Sequence, residues 1–175
     1  VEACPVGVES TLIRQQIRNK TAERGKLYYA YNQSEKEEAK YDVIYFAGCM
    51  THLTPAIIKS MKQIFESAKE KYWFMDEEKG LCCGRPLRLQ GFLQQADELT
   101  FKNKELIISS GAKILVTSCP ICYKTFKNDY LMKGIEVMHH SEYIDLLIRN
   151  RRIKISKSEL KIVYHDPCEL GRGCN

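Results

Sequence analysis

From Tyr41 onward the chain alternates between short, continuously apolar runs and longer stretches whose apolar residues recur every three or four positions. Tyr41 to Ala47 (YDVIYFA) is β-branched and aromatic and is interrupted by Gly48, as a buried strand would be. Thr54-Pro55 predicts a helix start, with Thr as N-cap and Pro at the first helical position. Ile57, Ile58, Met61, Ile64, Phe65 and Ala68 then mark one apolar face. Tyr72 to Met75 predicts a second strand, and residues 91–110 a long helix carrying Phe92, Ala96, Leu99, Leu106 and Ile107, stopped by Gly111. Lys113 to Thr117 (KILVT) reads as a third strand, with Pro120 where a helix would begin. Ile135 to His139 reads as a fourth, followed by a Ser141-capped helix through about Ile148, and Leu160 to Tyr164 as a fifth. Continuous apolar runs separated by helices imply an α/β fold: a mostly parallel sheet of about four to five strands with helices on both faces and right-handed crossovers.

The first forty residues read differently. Residues 1–9 form a loop stub, and residues 10–24 a helix with Leu12, Ile13 and Ile17 apolar, ended near Gly25. Asn32 to Lys40 is a charged linker with nothing to bury. The expected organisation is therefore 1–40 as a separate stub and linker, 41–155 as the main domain and 156–175 as the opening of another unit.

Composition narrows the class. The 175 residues are 44% hydrophobic and 28% charged, a globular balance, and no apolar run approaches the roughly 20 residues of a membrane span. No signal peptide is visible, so direct membrane insertion is not expected and a cytoplasmic setting is. The chain starts Val1-Glu2-Ala3-Cys4 without a Met and ends abruptly, as a piece of a longer protein would. The net charge of +5 is modest, and Arg149, Arg151, Arg152, Lys154 and Lys157 form the one basic cluster. Without interleaved aromatic residues that cluster reads as a solvated helix end, and nucleic-acid binding is not expected.

Eight cysteines change the picture. Cys49, Cys82, Cys83, Cys119 and Cys122 each fall just past a predicted strand, with 32 residues between Cys49 and Cys82 and 35 between Cys83 and Cys119. Neither the adjacent pair nor Cys119-Pro-Ile-Cys122 is specific alone. Their shared placement is, because the carboxyl ends of neighbouring parallel strands open onto one rim, where ligands bind. Thiolates gathered there suit a metal or iron–sulfur centre better than a scatter of disulfides. Gly48 and Gly84 would let the backbone approach a bulky centre. Cys119 falls at a predicted helix N-terminus, where partial positive charge favours thiolate. Arg85 could add charge beside the pair or serve in a surface ion pair.

The run Cys49…Cys82-Cys83-Gly84…Cys119-Pro-Ile-Cys122 resembles the CCG domain of heterodisulfide reductase. That domain is shared by the iron–sulfur subunits of glycolate, lactate and glycerol-3-phosphate oxidising enzymes. The resemblance implies a [4Fe-4S] centre, noncubane in heterodisulfide reductase itself, on Cys49, Cys82, Cys83, Cys119 and Cys122. It further implies electron transfer with flavin- or ferredoxin-type redox subunits, and a heterodisulfide, a quinone or a flavin-bearing partner at the ends of the path. Lys161 to Cys168 repeats the pattern of Tyr41 to Cys49 at an offset of 119 residues, so Tyr164-His-Asp-Pro-Cys168 resembles the opening of a second CCG motif. Glu169 stands where many relatives would have His. Ala3-Cys4-Pro5 resembles the tail of a ferredoxin-type cysteine run, which makes Cys4 a candidate ligand there. Cys168 is a second-site candidate, and Cys174 matches no motif position.

Two other chemistries stay open on these residues. Four of the five thiolates could close a tetrahedral zinc site without redox chemistry, although an adjacent pair is awkward around one ion. Cys119-x-x-Cys122 could also serve thiol–disulfide exchange, which leaves Cys49, Cys82 and Cys83 unexplained. His139 and His140 end a predicted strand on the same rim and are candidates for a role near the centre. His52 reads as a surface or capping residue and His165 as part of a hydrogen-bonded turn.

Overall fold

All four residues of one strand, β1 (Val43–Phe46), are buried on both faces, and this places it inside the sheet rather than at an edge. The computed structural model describes residues 10–21, 40–78, 81–165 and 168–171. Helix α1 is Ser10–Thr21, and β1 leads through a 3₁₀ turn (Thr51–Leu53) to α2 (Pro55–Ser67) and β2 (Tyr72–Phe74). There follow α3 (Arg85–Gln90), α4 (Leu93–Ser109), β3 (Ile114–Thr117), α5 (Pro120–Asn128), β4 (Glu136–His139), α6 (His140–Arg149) and α7 (Cys168–Gly171). The strands are all parallel, in the order β2-β1-β3-β4, with Val43 opposite both Tyr72 and Ile114, and Ile114 opposite Glu136.

Strand period sorts the core into two layers. Ile44, Phe46 and Leu115 face Ile107 of α4 and Phe126 of α5, with the Phe46 and Phe126 rings edge-on at 4.9 Å. Val43, Tyr45 and Val116 face Met61 and Phe65 of α2 and Tyr143 and Leu147 of α6 on the opposite side. Helices therefore cover both faces, as the apolar runs require. The chain moves from β1 to β2 in one direction and places β3 and β4 on the other side of β1. The gap between β1 and β3 is consequently the topological switch point, where open parallel sheets bind ligands.

The structure corrects several expectations. Leu160 to Tyr164 is not a strand: Leu160 is 80% exposed, Ile162 83% and Val163 100%, and the sheet of the described residues has four strands. The helix expected over 91–110 is α4, and ahead of it stands a short helix the apolar pattern did not announce, α3, which Gly91 ends at φ +92°. At Gly91 a β-carbon would meet the α1 backbone at 2.5 Å, so α1 docks on that turn, and Arg18 Nη1 donates to Leu89 O at 2.7 Å. Thr54 stands at the N-cap of α2 but makes no side-chain cap bond, and Ile57 on the expected apolar face is 36% exposed. Helix α6 is capped by His139 rather than Ser141: His139 accepts from Ser141 N, and Glu142 accepts from His139 N. The helix expected to run to residue 24 is described only through Thr21, and Gly25, the charged linker, Cys4 and Cys174 lie outside the described residues.

Candidate metal centre

Three strand ends deliver the five thiols to one place. Cys49 follows β1, Cys82 and Cys83 precede α3 in the connection from β2, and Cys119 is the N-cap of α5 just past β3, with Cys122 in that helix's first turn. All five are free thiols, four of them buried and Cys49 exposed. They form a continuous hydrogen-bonded run: Cys49 to Cys82, Cys82 to Cys83, and Cys122 to both Cys83 and Cys119. Among the described residues no three His, Cys, Asp or Glu side chains surround a point able to hold a metal ion. The thiols are strung out, each beside the next.

Their acidities divide the run: Cys83 and Cys119 are lowered, and Cys49, Cys82 and Cys122 are raised. Cys119 accepts from Cys122 and, against the cost of burial, is brought down to about 6 with help from the Cys122 and Ile121 N–H groups at the start of α5. Cys83 is likewise held well below an ordinary thiol because it accepts from Cys122 and Cys82 and faces the Arg85 N–H. Cys122, donating to Cys119 and Cys83, is pushed up, and burial adds to that. Cys82 accepts from Cys49 yet rises to about 11, since it donates to Cys83 and is buried. Cys49 is raised by its bond to Cys82 and by burial. Sulfurs this close cannot all ionise without a cation, so the run keeps protons on its raised members and leaves Cys83 and Cys119 as its readiest thiolates. A lone Cys-x-x-Cys exchanger shares the Cys119–Cys122 asymmetry, but here the pair is tied into Cys83 as well.

The surrounding backbone is fixed by buried polar groups that no motif in the sequence announces. Asp76, entirely buried just beyond β2, accepts from Ala47 N and Gly48 N at 2.8 Å each and pairs with His52 Nε2 at 3.1 Å. His52 is raised above the ordinary range, first by that hydrogen bond, so its place is an ion pair with a buried carboxylate rather than the surface. Asn103 of α4 donates to Cys82 O at 2.9 Å and to Tyr130 Oη at 3.0 Å, and Tyr130 donates to Cys83 O at 3.2 Å. Tyr45 and Ser118 share a hydrogen bond of 2.8 Å immediately before Cys119. Two signals could have exposed these anchors. Asp76 terminates an apolar strand, and Asn103 sits four residues from both Leu99 and Ile107 on a buried helix face.

Gly48 shows a close approach to the thiols, whereas Gly84 is required by its backbone conformation rather than by crowding. Gly48, at φ +85°, lies so close to the thiols that a β-carbon would stand 2.9 Å from Cys122 Sγ and 3.2 Å from Cys119 Cβ. Gly84, at φ +87°, caps α3 and donates its N–H to Cys82 Sγ at 3.4 Å. Arg85 reaches the thiols through its main chain. His139 and His140 lie with ring centroids 4.2 Å apart and planes tilted by 38°, each with one buried ring nitrogen that has no hydrogen-bond partner among the described residues, and burial lowers both. His165 is exposed. Cys168 opens α7, which packs on α5, the helix that bears Cys122. In the basic cluster Arg149 pairs with Asp145 at 2.7 Å and Arg152 with Glu70 at 3.1 Å.

The CCG family, described as a cysteine-rich domain, matches residues 43–127, a span that includes all five thiols. The chain carries a CCG domain. Its similarity extends to a component of the dihydromethanophenazine:CoB–CoM heterodisulfide reductase from Methanosarcina mazei, 35% identical over 147 residues, or 78% of this chain and 36% of that protein. A component of the CoM/CoB fumarate reductase of Methanothermobacter marburgensis is 30% identical over 133 residues, covering 74% of this chain and 26% of that protein. The EtfAB:quinone oxidoreductase of Syntrophomonas wolfei is 26% identical over 147 residues, 81% of this chain and 20% of that protein. The CCG chain thus spans about a third or less of the length of these relatives. No solved structure matches it. Among the described residues no helix is long and apolar enough to cross a membrane.

Proposed function

We propose that the CCG domain holds an iron–sulfur centre on Cys49, Cys82, Cys83, Cys119 and Cys122 and passes electrons within a larger redox complex. The observation that carries this reading is the unbroken run of five free thiols at the sheet's switch point, walled by Gly48 and supplied with N–H donors. Five sulfurs exceed the four that one zinc ion takes, and a body of several metal atoms can use them all. Relatives named as iron–sulfur proteins support the same cofactor. The form we infer is a [4Fe-4S] centre, of the noncubane kind that the resemblance to heterodisulfide reductase implies. When bound, it would supply one-electron chemistry; the chain's residues ligate it, keep water from its inner side and set its potential.

The names of the relatives favour a heterodisulfide or a quinone as the distal partner, with flavin- or ferredoxin-type subunits beside this one in the cytoplasm. Within that reading residues 41–155 are the first CCG domain, 1–40 leads from a ferredoxin-like module in which Cys4 is a ligand, and 156–175 opens a second repeat with Cys168. Anaerobic purification tests the centre. Brown protein with iron, acid-labile sulfide and an EPR signal is expected, with loss of colour in Cys83→Ser. Colourless protein carrying stoichiometric zinc would replace this reading with a zinc-organised domain.

A further inference from the structure

A carboxylate with no exposed surface is an expensive thing to place at a strand end, and Asp76 is surrounded by groups that use it. Its Oδ1 accepts from Ala47 N and its Oδ2 from Gly48 N, each at 2.8 Å, so consecutive amides of one peptide segment are gripped by the two oxygens of one side chain. Charge-assisted bonds of this kind are the strong ones. Because Asp76 follows β2 and Ala47-Gly48 follow β1, the grip spans two neighbouring strands and locks their exits together. Oδ2 also meets His52 Nε2 at 3.1 Å, and the imidazole stacks over Phe74 at 6.2 Å, which fixes its orientation.

The gripped segment is the wall of the thiol pocket. Gly48 lies against Cys122 Sγ and Cys119 Cβ, and Cys49 is the next residue. A movement of a few tenths of an ångström in this peptide would alter the spacing between Cys49 and the Cys119–Cys122 pair. Asp76 bonds to Ala47 N, Gly48 N and His52 and to none of the five thiols of the run; it acts through the peptide.

We propose that Asp76, with His52 as its counter-ion, is a positioning residue for the cysteine centre: it holds the Ala47-Gly48 wall in place and sets a fixed charge pair beside the centre. The proposal rests on the iron–sulfur reading for its electrostatic half and on geometry alone for the other. A fixed anion disfavours adding an electron nearby, and an adjacent cation offsets it. Removing each partner should therefore move the centre's potential in opposite directions, which loss of packing alone would not do.

The test uses the full chain, purified anaerobically, as Asp76→Asn and His52→Gln, with melting of secondary structure followed in parallel. At one fixed potential and pH 7, Asp76→Asn should raise the ratio of reduced to oxidised centre about tenfold, about 59 mV for one electron. His52→Gln should lower that ratio. In metal-free protein, Asp76→Asn should speed hydrogen exchange at the Ala47 and Gly48 amides at least about tenfold while His52→Gln leaves them protected. Equal potentials in both variants, or shifts of the same sign, overturn the charge role; unchanged exchange at Ala47 and Gly48 overturns the clamp. Should Asp76→Asn not fold, His52→Gln decides alone: a lowered ratio supports the proposal and an unchanged one sinks it. Should the wild type take up no iron, the iron–sulfur reading fails while the exchange measurement still judges the clamp.

Discussion

Two stretches of this chain share one pattern and meet opposite fates. Tyr41 to Cys49 and Lys161 to Cys168 each run an apolar, β-branched segment into a cysteine. In the first, Val43 to Phe46 are buried on both faces between β2 and β3 and under two layers of helices. In the second, Ile162 and Val163 stand in solvent and no strand forms. Alternation and β-propensity report that a segment fits a half-buried pleated surface; they do not supply the surface. What separates the pair is partners. β1 enters a sheet with a neighbour on each side, and among the described residues the second run has no strand beside it.

The largest expected effect breaks that comparison at the level of stability. Phe46→Ala removes a ring packed edge-on against Phe126 at 4.9 Å and should cost about 3–5 kcal/mol in urea unfolding. Val163→Ala, at a position wholly in solvent, should change stability by less than about 0.5 kcal/mol. A Val163→Ala cost above about 2 kcal/mol would mean that the second run is covered after all.

A smaller effect tests the anchors that make the first run's rim different from the second. Tyr130→Phe deletes the hydroxyl that donates to Cys83 O and accepts from Asn103, and leaves both partners buried. The expected loss is about 1–3 kcal/mol by the same unfolding measurement, accompanied by faster alkylation of Cys82 and Cys83 in metal-free protein. Unchanged alkylation would show that the doublet needs no second support beyond its own loop.

Much of this arrangement is legible in the sequence because it rests on periodicity. Strand runs separated by helical runs are enough to read an α/β sheet, and strand ends are enough to bring the five cysteines to one rim. What escapes such a reading depends on single contacts. Asp76 reads as the first polar residue of a turn until its oxygens are seen on the amides of Ala47 and Gly48. Gly91 reads as the opening of a helix until it is seen to end α3, with α1 in the space a β-carbon would need. Ser141 is a good capping type for α6, but His139 takes the cap because Glu142 closes the reciprocal bond on the His139 N–H. The fifth strand fails for the reason that separates the two runs: the pattern is local, and pairing is not.

The smallest effect concerns the pH dependence of the rim. Burial, and then the neighbouring His139, lower His140 to about 4, and burial lowers His139 in the same direction. A histidine depressed in the folded state stabilises the fold above its unfolded value of roughly 6.5, and that contribution is lost as pH falls from about 6.5 toward 4. His52 has the opposite sign. Raised first by its bond to Asp76, it stabilises the fold below about 6.5 and loses that contribution as pH rises through its folded value. His140→Gln should therefore flatten the acid limb of the stability curve by about 1 kcal/mol, the full linkage being discounted for a partly exposed ring. His52→Gln should leave the slope of that limb unchanged and remove the fall in stability above about 6.5, because it deletes the one histidine of the rim whose protonation favours folding. Urea midpoints taken from pH 4 to pH 8 measure both, and changes confined to the same pH window in His140→Gln and His52→Gln would refute the assignment of opposite signs.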